Sequence, residues 1–218
     1  MDNSFYVTIG EAQAEITEKK SRFIANVREV HSEEEALAYI NALRRKYWDA
    51  RHNCYAFVTG KNNEIMRFSD DGEPQGTAGR PILDVLTGRN VRNTCIVVTR
   101  YFGGVLLGTG GLVRAYSKAS SDGMDAIRVC EVYDGAEIEI SCDYSYINKI
   151  TRFLEDKDLP QTDCVYGEKV TFKAAVRDAE LKSVCDAVTD LSSGEIVPAI
   201  GERMTFAAND GKAVRYTF

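Results

Sequence analysis

A chain of 218 residues sets a prior of one or two domains. Its 44% apolar and 28% charged residues are ordinary for a folded globular protein, which excludes a disordered, collagen-like or membrane-embedded chain. A net charge of −6, from 27 Lys+Arg against 33 Asp+Glu, excludes a wholly basic nucleic-acid binder but not a local basic face.

The opening residues lack the basic and apolar regions of a signal peptide, and no apolar run approaches the roughly 20 residues that span a bilayer. The first strand predicted is 23–30, where Phe23, Ala25 and Val27 alternate with polar positions. Ser32-Glu-Glu-Glu35 is a capping box, opening a helix through Ala36, Leu37, Ile40 and Leu43 to about Tyr47. Strands follow at 54–58 and 65–68, then a turn-rich stretch, 69–81. A short helix is expected over 81–86, with Pro81 in its first turn, and a β-branched strand over 94–99. Residues 112–127 read as a helix with Leu112, Ala115, Tyr116, Ala119 and Ala126 on one face.

A boundary is placed around 133–136, giving domains 1–135 and 136–218. The second reads as strand 136–142, helix 144–154, strands 162–166 and 169–176, helix 179–191 and strand 204–208. That order is the split βαβ, ferredoxin-like pattern. The six cysteines form no C-x-x-C pair and read as free buried thiols of a cytoplasmic protein.

Charge divides unevenly. Residues 136–218 carry 10 basic and 15 acidic side chains, whereas 76–118 hold Arg80, Arg89, Arg92, Arg100, Arg114 and Lys118 against only Asp84. Within that basic stretch Gly103, Gly104, Gly108, Gly110 and Gly111 lie between a strand and a helix. Such a turn lets backbone approach a ligand, and a helix N-terminus offers N–H groups to an anion. Arg80, Arg100, Arg114 and Lys118 are therefore candidate phosphate-binding residues together with these glycines. Alternatively, the glycines solve a tight packing problem. A second cluster, His52 with Asp70, Asp71, Glu73 and Thr77, is a candidate polar cleft for acid/base or ion chemistry, or a polar turn. No catalytic triad, metal motif or Walker loop is present, so no catalytic residue, metal or cofactor is assigned.

At these residues the chain resembles the IMPACT/YigZ family. The resemblance runs from Gly79-Arg-Pro-Ile-Leu83, through Leu86, Val91, Val97 and Val98, to Arg100-Tyr-Phe-Gly-Gly-Val-Leu-Leu-Gly108. Ser69-Asp-Asp-Gly-Glu-Pro-Gln-Gly-Thr-Ala-Gly79 and His52-Asn-Cys-Tyr-Ala-Phe57 also look like family motifs. The resemblance implies an α+β protein of two domains. The first is a ribosomal-protein-type two-layer α/β sandwich; the second is ferredoxin-like and similar to the last domain of elongation factor G. It implies eukaryotic relatives that regulate translation. The expected function is a translation-associated protein binding RNA or the ribosome through the basic glycine-rich face. A nucleotide- or phosphate-binding enzyme and a protein-interaction module stay open as alternatives, and a small-molecule ligand is not excluded.

Overall fold

The computed structural model describes residues 4–209 and 211–217. In chain order the strands and helices are β1 (Phe5–Ile9), β2 (Glu11–Glu18), β3 (Ser21–Glu29), α1 (Glu33–Lys46), β4 (His52–Thr59), β5 (Ile65–Ser69), α2 (Gly79–Gly88), β6 (Val91–Arg92), β7 (Thr94–Tyr101), α3 (Thr109–Ala126), β8 (Arg128–Cys142), α4 (Ile147–Asp156), β9 (Gln161–Tyr166), β10 (Val170–Arg177), α5 (Leu181–Leu191), β11 (Ala199–Asn209) and β12 (Lys212–Arg215). They form two compact units, Tyr6–Val129 and Cys130–Thr217, the latter joined by Ser4 and Phe5. Residues 133–136 lie inside β8, which runs unbroken for 15 residues.

The first unit is built on an antiparallel sheet of order β2-β3-β7-β4-β5. Alternation along the strands divides its apolar side chains between two faces. Phe23, Ala25, Val27, Cys54, Ala56, Val58, Ile96 and Val98 pack under α2 and α3. Phe57, Cys95 and Val97 meet Ala36, Tyr39, Ile40 and Leu43 of α1 on the other side. The sheet with α2 and α3 is thus the two-layer core, and α1 covers its reverse. The α1 start is capped nearly as the sequence predicts. Ser32 Oγ accepts from Glu35 N at 3.2 Å, while Glu35 Oε2 reaches one residue further back, to His31 N at 2.8 Å.

In the second unit β8 pairs antiparallel with both β10 and β11, and β10 pairs antiparallel with β9. The resulting neighbours β9-β10-β8-β11 are those of a split βαβ fold. Ile150, Phe153 and Leu154 of α4 and Leu181, Val184 and Val188 of α5 cover one face, against Ile138, Ile140, Val170 and Phe172. Beyond the predicted elements, β11 begins at Ala199 and turns into β12, which meets β9 through Lys212 and Gln161. Ala213 of β12 joins Tyr133, Ala175 and Phe206 in a small second cluster. None of the six cysteines is in a disulfide; Cys164 and Cys185 are half-buried and the other four buried. Among the described residues no helix is long and apolar enough to cross a membrane.

Candidate functional site

Strand register creates the site. Arg100 of β7 lies between His52 of β4 and Phe23 of β3, and all three sit toward the end of the sheet face that carries α2 and α3. Arg100 is buried. Its Nη1 donates to Glu73 Oε1 at 2.6 Å and its Nη2 to Ser21 Oγ at 3.3 Å. The guanidinium stacks over the rings of Phe23 and Phe102, at 5.3 and 5.7 Å. Glu73, also buried, accepts a second hydrogen bond from Tyr116 Oη at 2.8 Å. The Cys54 thiol donates to the Asp70 carbonyl at 2.9 Å and lies 3.4 Å from Tyr116 Oη. Burial pushes the Cys54 thiol and the Tyr116 hydroxyl far above their ordinary ranges, so both keep their protons. His52 Nδ1 is 2.9 Å from the Asp71 carbonyl. A carbonyl only accepts, so Nδ1 carries the proton, and Nε2 stands 4.0 Å from Glu73 Oε1.

The acidic turn divides its labour. Asp70 accepts from the amides of Gly76, Ala78 and Gly79 at 2.8, 3.0 and 2.8 Å, so it caps α2 from a distance in sequence. Asp71 ties Arg44 at 2.7 Å and the amide of Asn53 at 2.7 Å. Thr77 is buried and bonds back to the Pro74 carbonyl at 2.6 Å. Of the predicted polar cluster, His52 and Glu73 line one cleft together with Arg100, while Asp70, Asp71 and Thr77 build the turn that delivers Glu73. No group of three or more His, Cys, Asp or Glu among the described residues is placed to hold a metal ion.

The glycines also separate by role. A Cβ on Gly103 would fall 2.0 Å from the Lys20 carbonyl carbon, so this glycine permits the close passage of two backbone segments. Gly108 caps α3 with φ +69° and no side-chain cap bond, and Gly104 has φ +83°. Gly110 and Gly111 form the first turn of α3, which begins three residues earlier than periodicity predicts.

The basic stretch divides in the same way. Arg80 pairs with Asp84 at 2.7 Å and Arg89 with Asp125 at 2.7 Å. Arg100 is neutralised by Glu73, and Lys118 is paired with Asp122. Arg114 and Lys118 border a separate cleft of about 250 Å³ with Lys19, Glu18 and Leu107. Lys19 and Lys20 make the two-residue turn between β2 and β3, with φ of +45° and +68°. Neither these lysines nor Ser21 nor the Tyr116 hydroxyl stands out in the sequence as a site residue. A lysine pair between two alternating segments was the available sign for the turn; the other two become visible only through strand and helix packing.

Another cleft, of about 390 Å³, borders the same glycine segment and shares Leu107 with the first. His52, Glu73 and Arg100 form polar parts of its lining, and Phe102, Leu106 and Leu112 contribute apolar wall. Gly108 and Thr109 place the start of α3 in the same lining.

Residues 19–124 match the Impact N-terminal domain, and residues 140–195 match a domain of unknown function, DUF1949. The chain is 41% identical to the IMPACT family member YvyE of Bacillus subtilis, over 87% of this chain and 88% of that protein. It is 35% identical to the IMPACT family member YigZ of Escherichia coli, over 82% and 88%. A crystal structure of a hypothetical protein superposes with a TM-score of 0.58 at 32% identity, covering 93% of this chain and 98% of that one. The chain belongs to the IMPACT family.

Proposed function

We propose that the chain is a translation-associated accessory protein that holds RNA by its phosphate backbone. The docking face is the turn of Lys19 and Lys20 with Arg114 and Lys118 of α3. The single observation that carries this reading is the gathering of Lys19, Arg114 and Lys118 around one cleft beside the glycine segment. A left-handed backbone costs a non-glycine residue roughly 1–2 kcal/mol, and asparagine–glycine is the preferred occupant of such a turn. Two lysines there are a local cost offset by what the side chains do. Family membership supports the link to translation, because the resemblance implies eukaryotic relatives that control it. Arg80, on the exposed side of α2, and Arg100, buried against Glu73, do not line that cleft and stand outside the docking face.

The reading is tested by RNA affinity as a function of salt. Each phosphate neutralised on a single strand contributes roughly −0.7 to the slope of log K against log salt. Replacing Lys19, Arg114 and Lys118 by alanine together should flatten that slope by about 2. Arg80→Ala should leave it nearly unchanged. An unaltered slope in the triple variant, or no RNA binding by the native chain at low salt, overturns the proposal.

A further inference from the structure

We infer that the cleft beside Arg100 is a second, independent site, which binds a small organic monocarboxylate with an apolar body. Its volume of about 390 Å³ is that of a small-molecule pocket. Phe102, Leu106 and Leu112 supply an apolar wall, and Leu106 is 83% exposed as it stands. Covering such side chains with an aliphatic or aromatic body is favourable.

Two observations place an anion at the polar part. The 18-residue helix α3 begins at Gly108 without a side-chain cap, so its first-turn amides are available to an acceptor. Arg100 lines the same cleft, its side chain is only 7% exposed, and its buried Nε has no hydrogen-bond partner. A buried guanidinium with an unused donor is completed by one more acceptor.

Charge selects the class of anion. Glu73 already cancels one positive charge of Arg100, which leaves the helix terminus, worth roughly half a charge, and Arg51 at the wall. That matches a single carboxylate. A triphosphate would bring several negative charges, with no metal-holding cluster among the described residues to offset them.

The test is a titration of the full chain, isotope-labelled for NMR, with octanoate, 3-phenylpropionate, inorganic phosphate and ATP as probes. Octanoate or phenylpropionate should saturate the amide shifts of Thr109, Gly110 and Gly111 together with the Leu106 and Leu112 methyl shifts. Thr109→Glu puts a fixed carboxylate in the first turn of α3, where the dipole tolerates it, and should weaken carboxylate binding at least tenfold. Thr109→Gln, of the same size but neutral, should stay within about threefold of the native chain, which separates charge from bulk. Replacing Arg114 and Lys118 by alanine should leave carboxylate affinity unchanged. The inference is overturned by the absence of saturable shifts, by equal affinity in Thr109→Glu, by phosphate or ATP binding more tightly than both carboxylates, or by joint loss with Arg114 and Lys118.

Discussion

Arg100 and Arg114 flank the same glycine segment and look equivalent in the sequence, yet they have opposite fates. Arg100 ends a strand on the inner face of the sheet, held by Glu73 and covered by Phe23 and Phe102. Arg114 lies on α3 beside Lys118 at the cleft that Lys19 also borders, and no ion pair to it is found among the described residues. The difference is one of surroundings: a strand end under two helices buries its base, and a helix surface leaves it in solvent. Charge counted along a chain therefore overstates the field outside it. Here acids beyond the basic stretch, Glu73, Asp122 and Asp125, each pair with one of its bases.

The contrast is broken most strongly at Glu73. Its removal leaves Arg100 buried and unpaired, so Glu73→Ala should cost about 3–5 kcal/mol in denaturant unfolding. Replacing Arg100 by Met and Glu73 by Leu together should recover most of that loss, because an apolar pair carries no desolvation cost. A double variant as unstable as Glu73→Ala would mean that the loss does not come from leaving Arg100 buried and unpaired.

Asp70→Ala comes next. It removes a carboxylate that satisfies three amides at the α2 start, at an expected cost of about 2–3 kcal/mol by the same measurement. A loss below about 0.5 kcal/mol would return Asp70 to the list of functional rather than structural carboxylates.

A smaller effect, but one of opposite sign, is expected at the outer face. Changing Lys19 to Asn and Lys20 to Gly relieves two left-handed lysines and should stabilise the first unit by about 1 kcal/mol. RNA affinity should fall in the same variant. Stability and binding moving together would contradict a functional reason for that turn.

Much of the fold is readable without coordinates because its signals are local. The capping box at Ser32, the apolar stripe of α1 and the β-branched run of β7 each specify their element. Strands β1 and β2 escape notice for different reasons. The β2 segment alternates, but its inward positions include the small residues Ala12 and Ala14, which give little contrast. Phe5–Ile9 carries strand-forming residues yet is only five residues long. Strand β12 has four residues and a single buried alanine. The start of α3 is hidden because glycines occupy its first turn. Its position follows from what precedes it, the Gly108 cap, and not from propensity.

The site was legible as two separate clusters, the glycine segment and the acidic turn. Joining Arg100 to Glu73 requires the pairing of β4, β7 and β3, which is non-local and leaves no spacing in the chain. For the same reason the sequence presents the phosphate loop and the polar cleft as two separate clusters, whereas the fold brings His52, Glu73 and Arg100 to one cleft with Gly108 and Thr109.

The most direct test of a phosphate-binding face at Lys19, Arg114 and Lys118 is the salt dependence of RNA binding, measured on the native chain and on the variant lacking those three side chains. The slope should be flatter by about 2 in the variant, with unfolding free energy changed by less than about 0.5 kcal/mol. An identical slope would contradict a phosphate-binding face there.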